Sequence, residues 1–151
     1  MAVIDLMQNP AQLEILYPVF ALVALTWLVW LRLFIVRVPM VLTGEVPLSF
    51  YVAKSGEPPP ERERVPTHHL ANLFEMPILF YALTGFLLIT GGVDETMMTL
   101  AWVYVGARFA HAVVHLSYND PNHRVVPYMI GCGVLLAMWL RFFGYILELT
   151  A

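Results

Sequence analysis

The sequence predicts an all-α integral membrane protein, a four-helix bundle whose helices run alternately up and down. Of its 151 residues, 60% are hydrophobic and only 13% are charged, and the mean hydropathy is +0.72. A soluble domain carries about 25% charged residues. Four apolar stretches each approach the roughly 20 residues that a helix needs to cross a bilayer. Isolated strands would leave backbone polar groups unpaired in lipid, so these stretches are predicted to be helices.

Each predicted span is a nearly continuous apolar run. The second is uncharged from Met76 to Val93, the third is uncharged until Arg108, and the fourth is interrupted by Arg141. The predicted helices cover about residues 13–36, 68–91, 95–118 and 124–149. We expect residues 1–151 to form one domain, because the length leaves room for little more.

One long loop, residues 37–67, is predicted between the first and second spans, whereas the other connections are a few residues each. Such short connections make the second, third and fourth spans antiparallel neighbours. The long loop contains a triple proline and a charged string. We interpret that string, Glu61, Arg62, Glu63 and Arg64, as a solvated surface rather than a ligand site.

The distribution of lysine and arginine predicts the orientation in the membrane. Most of these residues lie in or beside the long loop, and Arg124 lies at the third connection. We therefore expect both loops to be cytoplasmic and both termini to be non-cytoplasmic, with Arg141 as the exception. The tail carries no endoplasmic-reticulum retrieval signal, which favours a prokaryotic inner membrane. The net charge of −3 gives no reason to expect a nucleic-acid partner.

Nearly all polar residues within the spans belong to the predicted cytoplasmic end. On the third span, Arg108, His111 and His115 are spaced by three and four residues and so share one helix face. A cation in lipid is costly, so Arg108 must face protein or water, and such a residue usually marks a site. The other spans contribute His68, Asn72 and Glu75, which share a face of the second helix, and Arg124 and Tyr128 of the fourth.

Glu75 has two interpretations. It could form a structural ion pair with Arg108 or Arg124, locking two helices together. Alternatively, it could bind the ammonium group of a ligand whose carboxylate is bound by an arginine. Asn72, one turn earlier, could assist because its amide both donates and accepts hydrogen bonds.

A metal site is a further alternative. His111 and His115 have the i, i+4 spacing that lets two imidazoles bind one ion, and His68, His69 or Glu75 could complete the set. The chain has only five histidines. We therefore favour a packing role for His111 and a place beside the pocket for His115, and we predict no metal ligand.

The order of these motifs resembles the membrane-associated proteins in eicosanoid and glutathione metabolism (MAPEG). The resemblance rests on four helices in about 150 residues, a long first loop and three residue patterns. These patterns are Asn72-xx-Glu75 opening the second helix, Arg108-xx-His111 on the third, and Arg124 with Tyr128 on the fourth. The segment Thr43-Gly44-Glu45-Val46 after the first helix is also similar to the family.

The resemblance implies a homotrimer that binds glutathione as co-substrate between neighbouring subunits at the cytoplasmic side. A lipophilic second substrate would arrive from the bilayer. Asn72 and Glu75 would bind the ammonium end of glutathione, and Arg108 would bind a carboxylate. Arg124 is the predicted catalytic residue, since a cation beside the sulfur stabilises the thiolate, and the helix dipole assists it.

Tyr128, His68 and His115 complete the predicted glutathione site. Tyr128 would hydrogen-bond the ligand. His68 and Ala71 stand where active family members carry arginines, His115 stands where some carry tyrosine, and Pro47 replaces a further arginine. The resulting hypothesis is a glutathione transferase or peroxidase acting on lipophilic electrophiles. The alternatives are a non-catalytic member that binds lipid or a partner protein, and a histidine-based metal-dependent membrane enzyme.

Overall fold

The computed structural model describes residues 10–53 and 56–151, which form seven helices and no strand. The helices are α1 (Pro10–Leu13), α2 (Leu16–Leu42), α3 (Leu48–Ala53), α4 (Glu61–Asn72), α5 (Met76–Thr90), α6 (Glu95–Leu116) and α7 (Pro121–Thr150). Four stretches are long and apolar enough to cross a membrane: α1 with α2, α4 with α5, α6, and α7. The predicted all-α bundle of four membrane helices is confirmed.

Hydrogen bonds between spans close one end of the bundle. The Gln12 side-chain amide donates to the Val93 carbonyl at 2.8 Å, and the Val93 N–H donates back to Gln12 Oε1 at 3.0 Å. The Tyr145 hydroxyl donates to the Thr90 carbonyl at 2.9 Å. The start of the first span, the end of the second and the end of the fourth therefore meet here. Neighbouring spans in the chain run in opposite directions, as predicted.

Apolar side chains fill the space between the helices and also cover their outer faces. The completely buried ones include Leu22, Phe80, Leu83, Leu87, Ala101, Tyr104 and Met138. On the outer faces, Trp27 is 62% exposed and Ile89 is 68% exposed. So much exposed apolar surface would drive association in water, whereas lipid chains solvate it. The exposed faces thus agree with a protein that lies in a bilayer.

The long loop is shorter than predicted. Helix α2 continues to Leu42 and helix α4 begins at Glu61, so the predicted loop 37–67 is reduced to residues 43–60, which include α3. In α2 the charge of Arg37 interrupts the apolar run, but the helix continues to Leu42, whereas α4 begins in a charged segment before the apolar run. Pro60 precedes the first turn of α4. In that turn the negative charge of Glu61 interacts favourably with the positive end of the helix dipole.

A partly buried ion pair joins the parts of α2 and α4 that continue beyond the predicted spans. Arg37 Nε and Nη2 donate to Glu63 Oε1 at 2.7 and 2.5 Å, and Nη2 also donates to the Thr67 hydroxyl at 2.8 Å. Glu63 is buried, whereas Glu61, Arg62 and Arg64 are exposed. The prediction of a solvated charged string is therefore wrong for Glu63, because Arg37 stabilises its charge in the protein interior.

The second span is broken near its polar end. Helix α4 ends at Asn72 and α5 begins at Met76, with Glu75 at φ −95° and ψ −100° between them. Pro77 explains the break, since its nitrogen has no hydrogen to donate and its ring would clash with the carbonyl of Leu73. The predicted continuous helix over residues 68–91 is wrong at this point. His68 and Asn72 lie on α4, but Glu75 does not share their helix.

Candidate functional site

A polar cavity of about 270 Å³ lies at the end of the bundle where the second span breaks. Its lining comes from the last residue of α4, the C-terminal part of α6 and the first two turns of α7. The lining residues are Asn72, His111, Pro121, Arg124, Val125 and Tyr128. The structure therefore brings together Asn72, Arg124 and Tyr128, three of the residues that the sequence predicts for the site.

Arg108 lies behind this cavity and is 1% exposed. Its Nη2 donates to the Asn72 carbonyl at 3.0 Å, and its guanidinium carbon lies 5.5 Å from the centroid of the Tyr128 ring. The Asn72 carbonyl is available because α4 ends there, so the break supplies a partner for a cation that lipid could not solvate. No carboxylate in the described part of the chain pairs with Arg108. Its positive charge is therefore not neutralised by an ion pair and makes the electrostatic potential in the cavity more positive.

Arg124 lies in the first turn of α7, and the local sequence fixes it there. Asp120 caps this helix by accepting the N–H groups of Asn122 and His123 at 2.8 and 3.1 Å. These two bonds also lower the pKa of the Asp120 carboxyl below its ordinary value. Arg124 Nη1 donates to Asn119 Oδ1 at 2.6 Å. The helix start thus holds a second guanidinium at the cavity, where the helix dipole also favours an anion.

Glu75 and His68 are both exposed near this end of the bundle. Within residues 10–53 and 56–151, the ion pairs are Arg37–Glu63, Arg62–Glu45 and Arg141–Asp94. The alternative in which Glu75 locks two helices by pairing with Arg108 or Arg124 is therefore wrong for the single chain. The Glu75 carboxylate remains available to a ligand or to a neighbouring subunit.

His115 lies behind the cavity wall rather than on it. It is 3% exposed, and its ring centroid is 4.9 Å from that of His69 and 5.5 Å from that of His111. His115 thus packs against His111, which lines the cavity itself. The His111 Nδ1 hydrogen-bonds the Arg124 carbonyl at 2.8 Å, which ties α6 to the start of α7.

The sequence predicts His69 only as a possible metal ligand and not as part of the glutathione site. It is fully buried, whereas its neighbour His68 is exposed. The buried face of α4 consists of Glu63, Pro66, His69 and then Leu73 just beyond the helix, which are spaced by three, three and four residues. A helix counted from Glu61 would have placed His69 on the inner face. The predicted second span begins at His68, so it does not include Glu63 and Pro66, which establish this spacing.

Comparison with known proteins identifies the fold family. A family model described as the MAPEG family matches residues 15–144, which is most of the chain. Searches of curated proteins and of solved structures found no significant match. The family match includes the broken second span, the buried Arg108 and the start of α7, and it confirms the resemblance that the motif order indicated.

Proposed function

The chain belongs to the MAPEG family, and we propose that it is a membrane glutathione transferase or peroxidase acting on lipophilic electrophiles. Glutathione is the co-substrate and binds between the subunits of a homotrimer. The end of the bundle that carries the polar cavity faces the cytoplasm, because most arginines lie in or beside the loops at that end. Both termini then lie on the opposite side of the membrane.

This proposal rests on one observation: positive charge is concentrated at the polar cavity within an otherwise apolar bundle. Arg124 lines the cavity and Arg108 lies behind it, neither with a carboxylate partner in residues 10–53 and 56–151. Glutathione carries two carboxylates, and a hydrogen bond to a charged group contributes about 1.5–3 kcal/mol. Arg124 lies on the cavity surface and can donate to one carboxylate, whereas the buried Arg108 acts from behind the cavity through its positive charge.

The remaining residues are assigned by their position around the cavity. Asn72 and the exposed Glu75 bind the ammonium group, and the Tyr128 hydroxyl hydrogen-bonds the ligand. His68, exposed on α4, contributes at the mouth of the site. His115 is assigned no direct contact with glutathione, because it lies behind the cavity wall.

Arg124 is the proposed catalytic residue. Its guanidinium, held at the helix start by Asn119, stabilises the negative charge of the glutathione sulfur. A neighbouring cation lowers the pKa of a thiol, so a larger fraction is thiolate at neutral pH. In conjugation, the thiolate attacks the electrophilic carbon, a C–S bond forms, and the leaving group departs with its bonding electron pair. In the peroxidase reaction, two glutathione molecules reduce a hydroperoxide to an alcohol and water and are oxidised to the disulfide.

The test compares three forms of the purified full-length protein in detergent: wild type, Arg124→Ala and Arg141→Ala. Turnover is measured with an aryl halide and with cumene hydroperoxide, each in the presence of glutathione. We expect Arg124→Ala to lose turnover by at least about 100-fold while it keeps its oligomeric state. Arg141→Ala removes an arginine at the opposite end of the bundle and should retain wild-type turnover. Full activity in Arg124→Ala would disprove the assignment.

A lipid-binding, non-catalytic function is the second candidate, and a separate apolar cavity favours it. This cavity of about 450 Å³ is lined by Val23, Thr26, Trp27, Trp30, Leu70, Leu73, Phe74 and Tyr81. It suits an acyl chain or the apolar part of an electrophile. Calorimetric titration with glutathione separates the two candidates, because a non-catalytic lipid binder would give no heat of binding at millimolar glutathione.

A further inference from the structure

Three buried histidines meet in the interior of the bundle, on the protein side of the polar cavity. His69 comes from α4, and His111 and His115 come from α6. One ring nitrogen from each lies within 4.8 Å of those of the other two. The residues are 0%, 3% and 3% exposed, respectively. His111 and His115 are four residues apart on α6, so their side chains lie on the same face of the helix, one turn apart.

The nitrogens of this cluster have few partners among the described residues. Both nitrogens of His69, Nε2 of His111 and Nδ1 of His115 are buried without a hydrogen bond. Most buried polar side-chain atoms in proteins have at least one such bond. Four unpartnered imidazole nitrogens in one cluster therefore require an explanation, and aromatic packing alone supplies no partner for their lone pairs.

The tautomer of His111 can be read from its single hydrogen bond. The Arg124 carbonyl at 2.8 Å only accepts, so His111 Nδ1 carries the hydrogen and Nε2 of the neutral ring carries a lone pair. A histidine that binds a metal through one nitrogen commonly donates the other N–H to a backbone carbonyl in this way. The Nε2 atom, which lacks a partner, is one of the buried nitrogens of the cluster.

We propose that His69, His111 and His115 bind one transition-metal ion of the zinc and copper class. Neutral imidazole is a good ligand for these ions, and three histidines with an open fourth position form a common protein site. Metal–nitrogen distances of about 2.0–2.1 Å require ligand nitrogens closer than the present 4.8 Å limit. Metal binding therefore requires the imidazole rings to move towards one another. His111 also lines the polar cavity, which gives an ion a route of entry.

The charged groups around the histidine cluster determine which metal ions the site prefers. The charges of Arg108 and Arg124 act on His69 and His115, and His68 is a neighbouring titratable group on α4. No ion pair within residues 10–53 and 56–151 brings a carboxylate to these arginines. The site therefore selects ions that form strong bonds to neutral nitrogen rather than ions such as Mg²⁺ and Ca²⁺, which prefer oxygen ligands.

The experiment uses the full-length protein in detergent, purified without a histidine tag and stripped with a chelator. It is equilibrated with Zn²⁺ or, without oxygen and thiols, with Cu⁺, and bound metal is measured by elemental analysis after gel filtration. We expect one ion per chain. The variants His69→Leu, His111→Leu and His115→Leu should each weaken binding by more than about 100-fold, since even second-shell changes cost 10–100-fold. The exposed residue His123 supplies the matched control, His123→Leu, which should bind as wild type does.

X-ray absorption spectroscopy of the metal-loaded wild type provides a test that does not depend on the variants folding. We expect the scattering pattern of three imidazole rings around the ion. Absence of both metals above the level of protein-free detergent would overturn the proposal, as would an oxygen-only shell or equal binding in folded triple variants. Metal binding is measured without glutathione, and glutathione calorimetry is run on metal-free protein. Failure of this proposal is thus distinguishable from failure of the proposed function.

Discussion

Arg108 and Arg37 differ in the group that balances their positive charge. Arg108 donates to the Asn72 backbone carbonyl, whereas Arg37 pairs with a carboxylate, Glu63. Within the second pair the environments are unequal, because the Arg37 side chain is 34% exposed and that of Glu63 is 3% exposed. Water can therefore solvate Arg37 if its partner is removed, but it cannot reach Glu63. The two residues should respond differently to mutation.

We expect Arg37→Met to destabilise the protein more than Glu63→Gln does. Arg37→Met leaves the buried Glu63 carboxylate without a cation and with only the Thr67 hydroxyl as a side-chain donor, which typically costs about 3–5 kcal/mol. Glu63→Gln leaves a half-exposed guanidinium and a neutral amide, and we expect a cost of about 1 kcal/mol. Thermal unfolding of the detergent-solubilised protein measures both. In the double variant Arg37→Met with Glu63→Met, we expect stability closer to wild type than in Arg37→Met. A larger loss in Glu63→Gln than in Arg37→Met would contradict this account.

At the scale of the helices, sequence reasoning located the four spans but not their ends. Hydropathy follows the membrane core, and α2 and α4 both extend beyond that core into segments with prolines and charges. The break before Pro77 was also missed, although proline inside a helix is a local signal that was available. The partner of Glu63 could not be inferred, because Arg37 is 26 residues away in sequence. Local patterns do not report such tertiary contacts.

The start of α6 gives a prediction about a single helix cap. Asp94 caps this helix by accepting the Met97 N–H at 2.7 Å and also pairs with Arg141. Asp94→Ala removes both interactions and should destabilise the protein by about 1–2 kcal/mol. Asp94→Asn keeps a good capping residue and loses an exposed ion pair, which contributes at most about 1 kcal/mol. Equal melting temperatures for Asp94→Ala and Asp94→Asn would show that the cap contributes nothing measurable.

The contribution of Asp94 to the stability of the protein should depend on pH. Partial burial disfavours the Asp94 carboxylate, but hydrogen bonds from Arg141 and Met97 outweigh this and lower its pKa below the ordinary 3.8. A lowered pKa in the folded state stabilises the protein at pH values above 3.8, and this contribution is lost as the pH falls through the folded value. We therefore expect the difference in melting temperature between wild type and Asp94→Asn to shrink below that pH. A difference that grows on acidification would have the wrong sign.

At the scale of the whole molecule, the sequence identified the correct end of the bundle for the site but not all its residues. Arg108, Asn72, Arg124 and Tyr128 meet there, because residues three or four apart on each span share a face. His69 was named only as a possible metal ligand, because its inner position depends on where α4 begins. The exposure of Glu75 depends on the helix break. The position of His69 and the exposure of Glu75 therefore could not be predicted from a continuous second helix that begins at His68.

The exposed Glu75 leads to the last prediction, which concerns assembly. A carboxylate at membrane depth is costly when it faces lipid, and Glu75 forms no ion pair within the described ranges 10–53 and 56–151. A neighbouring copy of the chain can cover it, as the proposed homotrimer requires. Native mass spectrometry from detergent should give three times the chain mass of 17.1 kDa.

A photoreactive amino acid in place of Glu75 tests whether that position lies at the subunit interface. Irradiation should join two chains, and the cross-linked species should migrate as a dimer in denaturing gels. The same residue at position 57, in the loop before α4, is the matched control, since Glu57 is exposed outside the membrane-spanning helices. A monomeric native mass, or cross-links from position 75 to lipid alone, would mean that Glu75 faces the bilayer. The shared glutathione site would then lack its acidic residue.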